Sequence, residues 1–134
     1  MAVYEDMRND FTKVLSEWNN AITITRTTET KGSMGEVIST SDTSYTINCI
    51  IQQITEKDRD IHAIGLAEPG NRKVFFKYQY DSSDDSDISG TFTPAAGDKI
   101  TDADSNCWRI EQIVHRARRG DNIIFIKTVA RRLE

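Results

Sequence analysis

The 134-residue chain is short of the residues that soft-metal chemistry needs: two cysteines, Cys49 and Cys107, and two histidines, His62 and His115. Neither cysteine belongs to a Cys-x-x-Cys pair, and both histidines are remote from them in sequence. A structural zinc site takes three or four such ligands, usually in close pairs. Folding alone would have to assemble Cys49, Cys107, His62 and His115, so the spacing points to two reduced thiols packed as small apolar residues. The common catalytic signatures are missing too: there is no glycine-rich phosphate loop, no Gly-x-Ser-x-Gly and no His-Glu-x-x-His. His115 has no carboxylate beside it in sequence. The expectation is a protein that is not an enzyme, with no metal and no cofactor. Nor is there an apolar run near the ~20 residues of a membrane span. The opening "MAVYEDMRND" is acidic and lacks an apolar signal-peptide core. The expectation is a soluble chain, with no membrane contact, made and used in the cytoplasm.

What the chain does have is enough apolar content, 37%, for the core of a single domain spanning 1–134. Tyr4, Met7, Phe11, Val14, Leu15 and Trp18 recur at spacings of three and four, which predicts an amphipathic helix over 3–18. Asn19 and Asn20 are good stop residues. The period then changes to two. "AITITRTTET" puts Ile22, Ile24 and Arg26 on one face and threonines on the other. "KGSMGE" supplies a turn. "EVISTSDTSYTINCIIQQI" reads as a short strand, a polar turn near Ser41 and Asp42, and a longer strand to Ile54 with Tyr45, Ile47, Cys49 and Ile51 on one face. Thr55 and Asp58 form a weak capping box before a short helix ended by Gly65. "NRKVFFKYQY" is a further strand, and "DSSDDSDISGTFTPAAG" (81–97) a long acidic loop of the kind that is either functional or disordered. Strands follow from about Asp98 to Thr101 and from Cys107 to His115; "RARRGDN" is a turn, and "IIFIKTVARR" the last strand. The fold class is mainly β: a small antiparallel barrel or sandwich of about six or seven strands over 21–132, with an N-terminal helix and a short internal one.

One stretch imitates a metal site. In "DADSN", Asp102, Asp104 and Asn106 alternate as calcium-loop ligands do. Such a loop needs glycine at its sixth position and a bidentate glutamate at its twelfth. Cys107 and Ile113 stand there, and the flanks alternate with period two. The residues predict a hairpin turn, where Asp and Asn bond their own backbone. Downstream, Trp108, Ile110 and Gln112 share one side of a strand, and Arg109, Glu111 and Ile113 the other.

Charge is unevenly spread about a net of −4. Seven aspartates and one lysine lie between Asp81 and Asp104; seven Arg or Lys and three acids lie between Cys107 and Glu134. Opposite surfaces on one chain suit head-to-tail contact between copies, or contact with nucleic acid. The candidate interaction residues are Asp81, Asp84, Asp85 and Asp87 on the acidic side and Arg116, Arg118 and Arg119 on the basic side. Against a dedicated nucleic-acid binder stand the acidic total and poor aromatic interleaving, with Phe125 the one aromatic in the last strand.

The order of these segments resembles a known family. "ITITRTTETKGSMGE" is followed by "YTINCIIQQITEKD", then a strand, then "GDKI", a tight turn and "CWRIEQI". This is similar to the small head-tail joining proteins of tailed bacteriophages, also called head-closure, stopper or head-tail adaptor proteins. The resemblance covers about Ala21 to Val129; the helix over 3–18 is longer than in the simplest members, and the acidic loop is unusual. It leaves the joint open, because tail-completion and tail-terminator proteins have similar small barrels. The resemblance implies a ring of identical subunits stacked on a portal assembly and meeting adaptor and tail proteins, with DNA near the channel. It implies a place in the virion, assembly in the bacterial host cytoplasm, no catalysis and no cofactor. The alternative is a small β-barrel that binds nucleic acid or regulates.

Overall fold

Apolar side chains three and four apart give a helix one face to bury. Helix α1 (Val3–Trp18) forms over the range that this spacing predicts, in a computed structural model that describes residues 3–18 and 21–133. Leu15 is buried, and Phe11 stacks on Phe125 with ring centroids 5.1 Å apart. Met7 and Val14, read as part of the same stripe, are exposed instead. The helix meets the sheet along a line narrower than its apolar face. The side chains of Tyr4 and Trp18, and the stop residues Asn19 and Asn20, lie outside the described residues.

The rest of the chain is antiparallel sheet. The strands are β1 (Ala21–Lys31), β2 (Val37–Asn48), β3 (Ile50–Gln53), β4 (Arg72–Lys77), β5 (Tyr80–Asp81), β6 (Thr91–Phe92), β7 (Lys99–Thr101), β8 (Cys107–Arg119) and β9 (Asn122–Leu133). Helix α2 (Arg59–Ala63) separates β3 from β4. Seven strands form one sheet in the order β2-β1-β7-β8-β9-β4-β3, and β5 and β6 form a small second one. The nine strands among the described residues exceed the six or seven expected because two of them have only two residues.

β2 and β3 stand at opposite edges of the large sheet, yet Cys49 alone separates them in sequence. The sheet therefore curls until its edges meet at that residue. It does not close into a barrel, since among the described residues no ladder joins β2 to β3. Tyr80 fastens the seam: its hydroxyl donates to the Asn48 carbonyl oxygen and accepts from the Lys77 N–H at 3.0 Å. Inside the curl sit Ile22, Ile24, Phe76, Ile100, Ile110 and Ile126, with Cys49 among them. Burial raises the pKa of both interior titratable groups, the Cys49 thiol to about 12 and the Tyr80 hydroxyl well above its usual range, so both stay neutral.

Several expectations need correction. Ser41 and Asp42 make no turn: they pair with Thr28 and Thr27 inside an unbroken β1–β2 ladder, because β-branched and hydroxyl side chains suit a strand exposed on both faces. The strand 71–80 ends at Lys77, and Tyr80 passes into the second sheet. "RARRGDN" is strand through Arg119, and only Gly120 and Asp121 turn; Gly120, with φ +64, supplies the positive φ that the first position of a type II′ hairpin demands. The alternation after Trp108 slips, because Glu111 is an extra residue between the pairs Ile110–Ala130 and Gln112–Val129. Gln112 is exposed in consequence, and Ile113 packs against the core. The short helix starts at Arg59, later than the capping box predicts. Asp58 makes no side-chain cap; its carboxylate accepts from the Thr55 N–H at 2.7 Å and from Lys73 Nζ at 3.0 Å.

The acidic loop is also folded. Ile88, Phe92 and Pro94 are buried, and Phe92 meets Tyr45 edge to face at 5.0 Å. Three apolar anchors in a polar stretch repay the ordering of a segment that its composition alone would leave loose.

Candidate interaction surfaces

β1 changes character along its length. Ile22 and Ile24 are buried, but every residue from Thr27 to Lys31 is exposed, as is every residue of β2 from Val37 to Ser44. β7 pairs with β1 only at Thr23–Thr25. Beyond that point, six pairs from Arg26–Thr43 to Lys31–Val37 form a free two-stranded arm. At about 3.4 Å per residue the arm projects roughly 20 Å. Its turn is held by the Gly32 N–H donating to the Glu36 oxygen at 2.8 Å, with Gly35 at φ +85. Its end carries Met34, 91% exposed, with Val37 and Ile38, both also exposed. The bulge beside Lys31 sets Val37 and Ile38 together opposite that lysine. Cross-strand hydroxyl bonds, Thr25 Oγ1 with Ser44 Oγ at 2.9 Å and Thr27 Oγ1 to Asp42 Oδ1 at 2.6 Å, hold the ribbon in register.

At the root of the arm stands a clamp. The Arg26 guanidinium grips Asp98 with two bonds, at 3.0 and 2.8 Å, and donates to the Thr93 oxygen at 2.8 Å. It lies 4.5 Å from the Phe92 ring. Asp98 is buried and also accepts from the Ala95 N–H at 3.0 Å. The hydrogen bond with Asp98 outweighs burial and raises the pKa of Arg26. Asp98 is the acid of the "GDKI" segment; its part as the anchor of β1 was missed in the sequence. The available signal was Arg26 itself, a cation continuing the face of Ile22 and Ile24.

The expected interaction residues divide into engaged and free. Asp81 Oδ1 accepts from Ser83 N–H at 2.9 Å, and the Ser83 bonds hold its carboxyl below the usual range. Asp84 accepts from the Asp81 N–H and pairs with Lys77 at 3.3 Å. Asp85 accepts from the Asp87 N–H at 2.9 Å and from the Thr46 N–H at 2.6 Å, which ties the segment to β2 and holds its carboxyl below the usual range. Asp87 contributes only its backbone to these bonds and is exposed. Arg116, Arg118 and Arg119 are exposed at the end of the β8–β9 hairpin, and among the described residues none has an ion pair. No hydrogen bond or ion pair joins the acidic set to the basic set within the described residues.

"DADSN" is the β7–β8 turn. Asp102 Oδ1 accepts from the N–H groups of Asp104 and Asn106, both at 2.9 Å, and Thr101 pairs with Cys107 across the turn. Among the described residues no three His, Cys, Asp or Glu side chains are grouped to hold a metal. The two groups whose acidity is shifted furthest, Cys49 and Tyr80, are sealed in the core and have structural roles. α2 is fixed to the sheet by Asp58–Lys73 at 3.0 Å and Asp60–Lys127 at 2.9 Å. No helix among the described residues is long and apolar enough to cross a membrane.

No protein-family model matches the chain, and no curated protein matches it. Its fold is similar to the solution structure of protein SF1141 from Shigella flexneri 2a, with a TM-score of 0.52 at 14% identity, covering 85% of this chain and 91% of that one. At that identity the likeness concerns the fold alone.

Proposed function

We propose that the protein is a structural, ring-forming connector that joins head to tail in a phage or prophage virion, as a head-closure, adaptor or tail-completion subunit. The observation that carries this reading is the arm. Its ladder is broken only by the bulge at Ile38, yet from Thr27 to Ser44 no side chain enters the core. A two-stranded ribbon is at best marginally stable in water by itself. An element of this length that adds nothing to its own core has its use outside the subunit. The order of "ITITRTTETKGSMGE", "GDKI" and "CWRIEQI" supports the particular assembly, through its resemblance to head-tail joining proteins. The free arginines at 116, 118 and 119 suit the acidic surface of a neighbour or the DNA of a channel. On the acidic side Asp87 is the freest of the four candidates, because the other three already serve their own loop.

The test is assembly. Purified protein mixed with portal particles is expected to add a ring visible by negative-stain imaging, and added salt is expected to weaken its charged contacts. Protein that never joins portal particles would sink the joining function. The second reading, a nucleic-acid-binding β domain, draws on the same three arginines. It predicts retention of DNA by the isolated protein that falls steeply with salt, by a slope of about −0.9 per neutralised phosphate.

A further inference from the structure

The exposed large apolar side chains are not scattered. Of the seven among the described residues, three are at the end of the arm (Met34, Val37, Ile38) and three are on α1 (Val3, Met7, Val14). Residues 3, 7 and 14 follow one another along a single helical face, and Asp10 falls on that face between Met7 and Val14. The two patches are alike in plan, and each sets one unpaired charge, of opposite sign, beside its apolar group. Asp10 sits within the helix stripe; Lys31 sits opposite Val37 and Ile38 on the arm. Both charges are exposed and neither has an ion pair among the described residues. The other acids at the arm end are Glu29, two residues before Lys31 in β1, and Glu36, whose carboxyl is turned onto Gly32. The patches also belong to different parts of the molecule. α1 packs on β9, β4 and β8, whereas the arm leaves from β1 and β2 at the other side of the sheet order.

We propose that the arm end of one copy docks on the Val3–Met7–Val14 face of α1 in the next copy, with Lys31 against Asp10. This rests on the ring reading and names the contact that builds the ring. Two different surfaces of one chain make a heterologous, head-to-tail contact, the kind that closes into a ring. Three apolar side chains on each partner are far fewer than the roughly 20–30 residues a side of a standard interface. A single contact therefore holds weakly, and closure of the ring makes it persist.

Charge reversal tests it, because Asp10 and Lys31 are exposed and replacing them leaves the core intact. Sedimentation equilibrium is run over a concentration series on the full chain, on Lys31→Glu, on Asp10→Lys and on the double variant carrying both. The unmodified chain is expected to gain mass with concentration. Each single reversal is expected to weaken association about tenfold, and the double variant, which restores opposite charges across the contact, to recover most of that loss. A double variant as weak as either single one overturns the contact, as does an effect of Lys31→Glu with none of Asp10→Lys, which would place the arm on another surface. An unmodified chain that is monomeric at every soluble concentration overturns it as well. If that monomer still joins portal particles, the joining function stands without this contact; if it does not, both fall.

Discussion

The two halves of β1 share one strand, one partner and one continuous ladder, and differ in almost everything else. From Ile22 to Thr25 the strand borders the core, and over Thr23–Thr25 it is held on both sides, by β2 and β7. From Thr27 to Lys31 it lies in solvent with β2 alone. The ladder to β2 runs through both halves, so it is not what separates them. What separates them is burial, which dominates the free energy of folding, while a ladder bond exchanged for one to water adds little. The body of the sheet should thus carry the stability and the arm should carry very little of it.

The most forceful way to break that comparison is in the body. Phe76 is fully buried in β4, within the same cluster as Ile22 and Ile24. Phe76→Ala is expected to cost about 3–5 kcal/mol, the transfer of the ring plus the cavity left behind. Thermal unfolding should show this as a fall of about 10 °C or more in the midpoint. A loss under about 1 kcal/mol would mean that the curl is loosely packed and that body and arm are not so different.

A smaller effect is expected at the boundary. Arg26→Ala leaves the buried Asp98 carboxylate with the Ala95 N–H but without its cation. Breaking a buried pair is costly, but the Arg26 side chain is 38% exposed, so water screens part of the loss. The expected cost is about 2 kcal/mol, below that of Phe76→Ala. The informative measurement is amide hydrogen exchange. Exchange should quicken through the arm, from Thr27 to Thr43, much more than in β8 and β9, since the clamp fixes the root from which the arm projects. Uniform quickening would show that the clamp serves the whole sheet instead.

These two regions also differed in how far they could be read from the sequence. α1 was legible because its apolar spacing is regular, and the β7–β8 turn because Asp102, Asp104 and Asn106 have a local backbone role that needs no distant partner. The arm was misread at Ser41 and Asp42. Polar residues in a short window look the same in a turn and in a strand bare on both faces, and only the pairing with Thr28 and Thr27 tells them apart. The order of 81–97 was hidden for a related reason: it depends on Ile88, Phe92 and Pro94 finding a core made by strands far off in sequence. The seven candidate interaction residues were chosen by charge, and charge does not say which carboxylates their own loop will use. Asp98, inside the quoted "GDKI", was passed over because its partner Arg26 is 72 residues away.

The smallest effect is the one that isolates the arm. Ile38 is 65% exposed at the end of β2. Ile38→Thr keeps the β-branch and so the strand preference, while removing apolar surface that the folded chain never buries. Stability is expected to stay within about 0.5 kcal/mol of the unmodified protein, as for surface positions elsewhere. An isoleucine left so open gains the subunit little on folding, because most of its surface is in water before and after. If chemical denaturation instead showed a loss near 2 kcal/mol, Ile38 would have to pack on the body in solution and the arm would be part of the core. If stability holds and self-association weakens, the same side chain is shown to act between copies, which is where an apolar residue on a free ribbon has something to bury against.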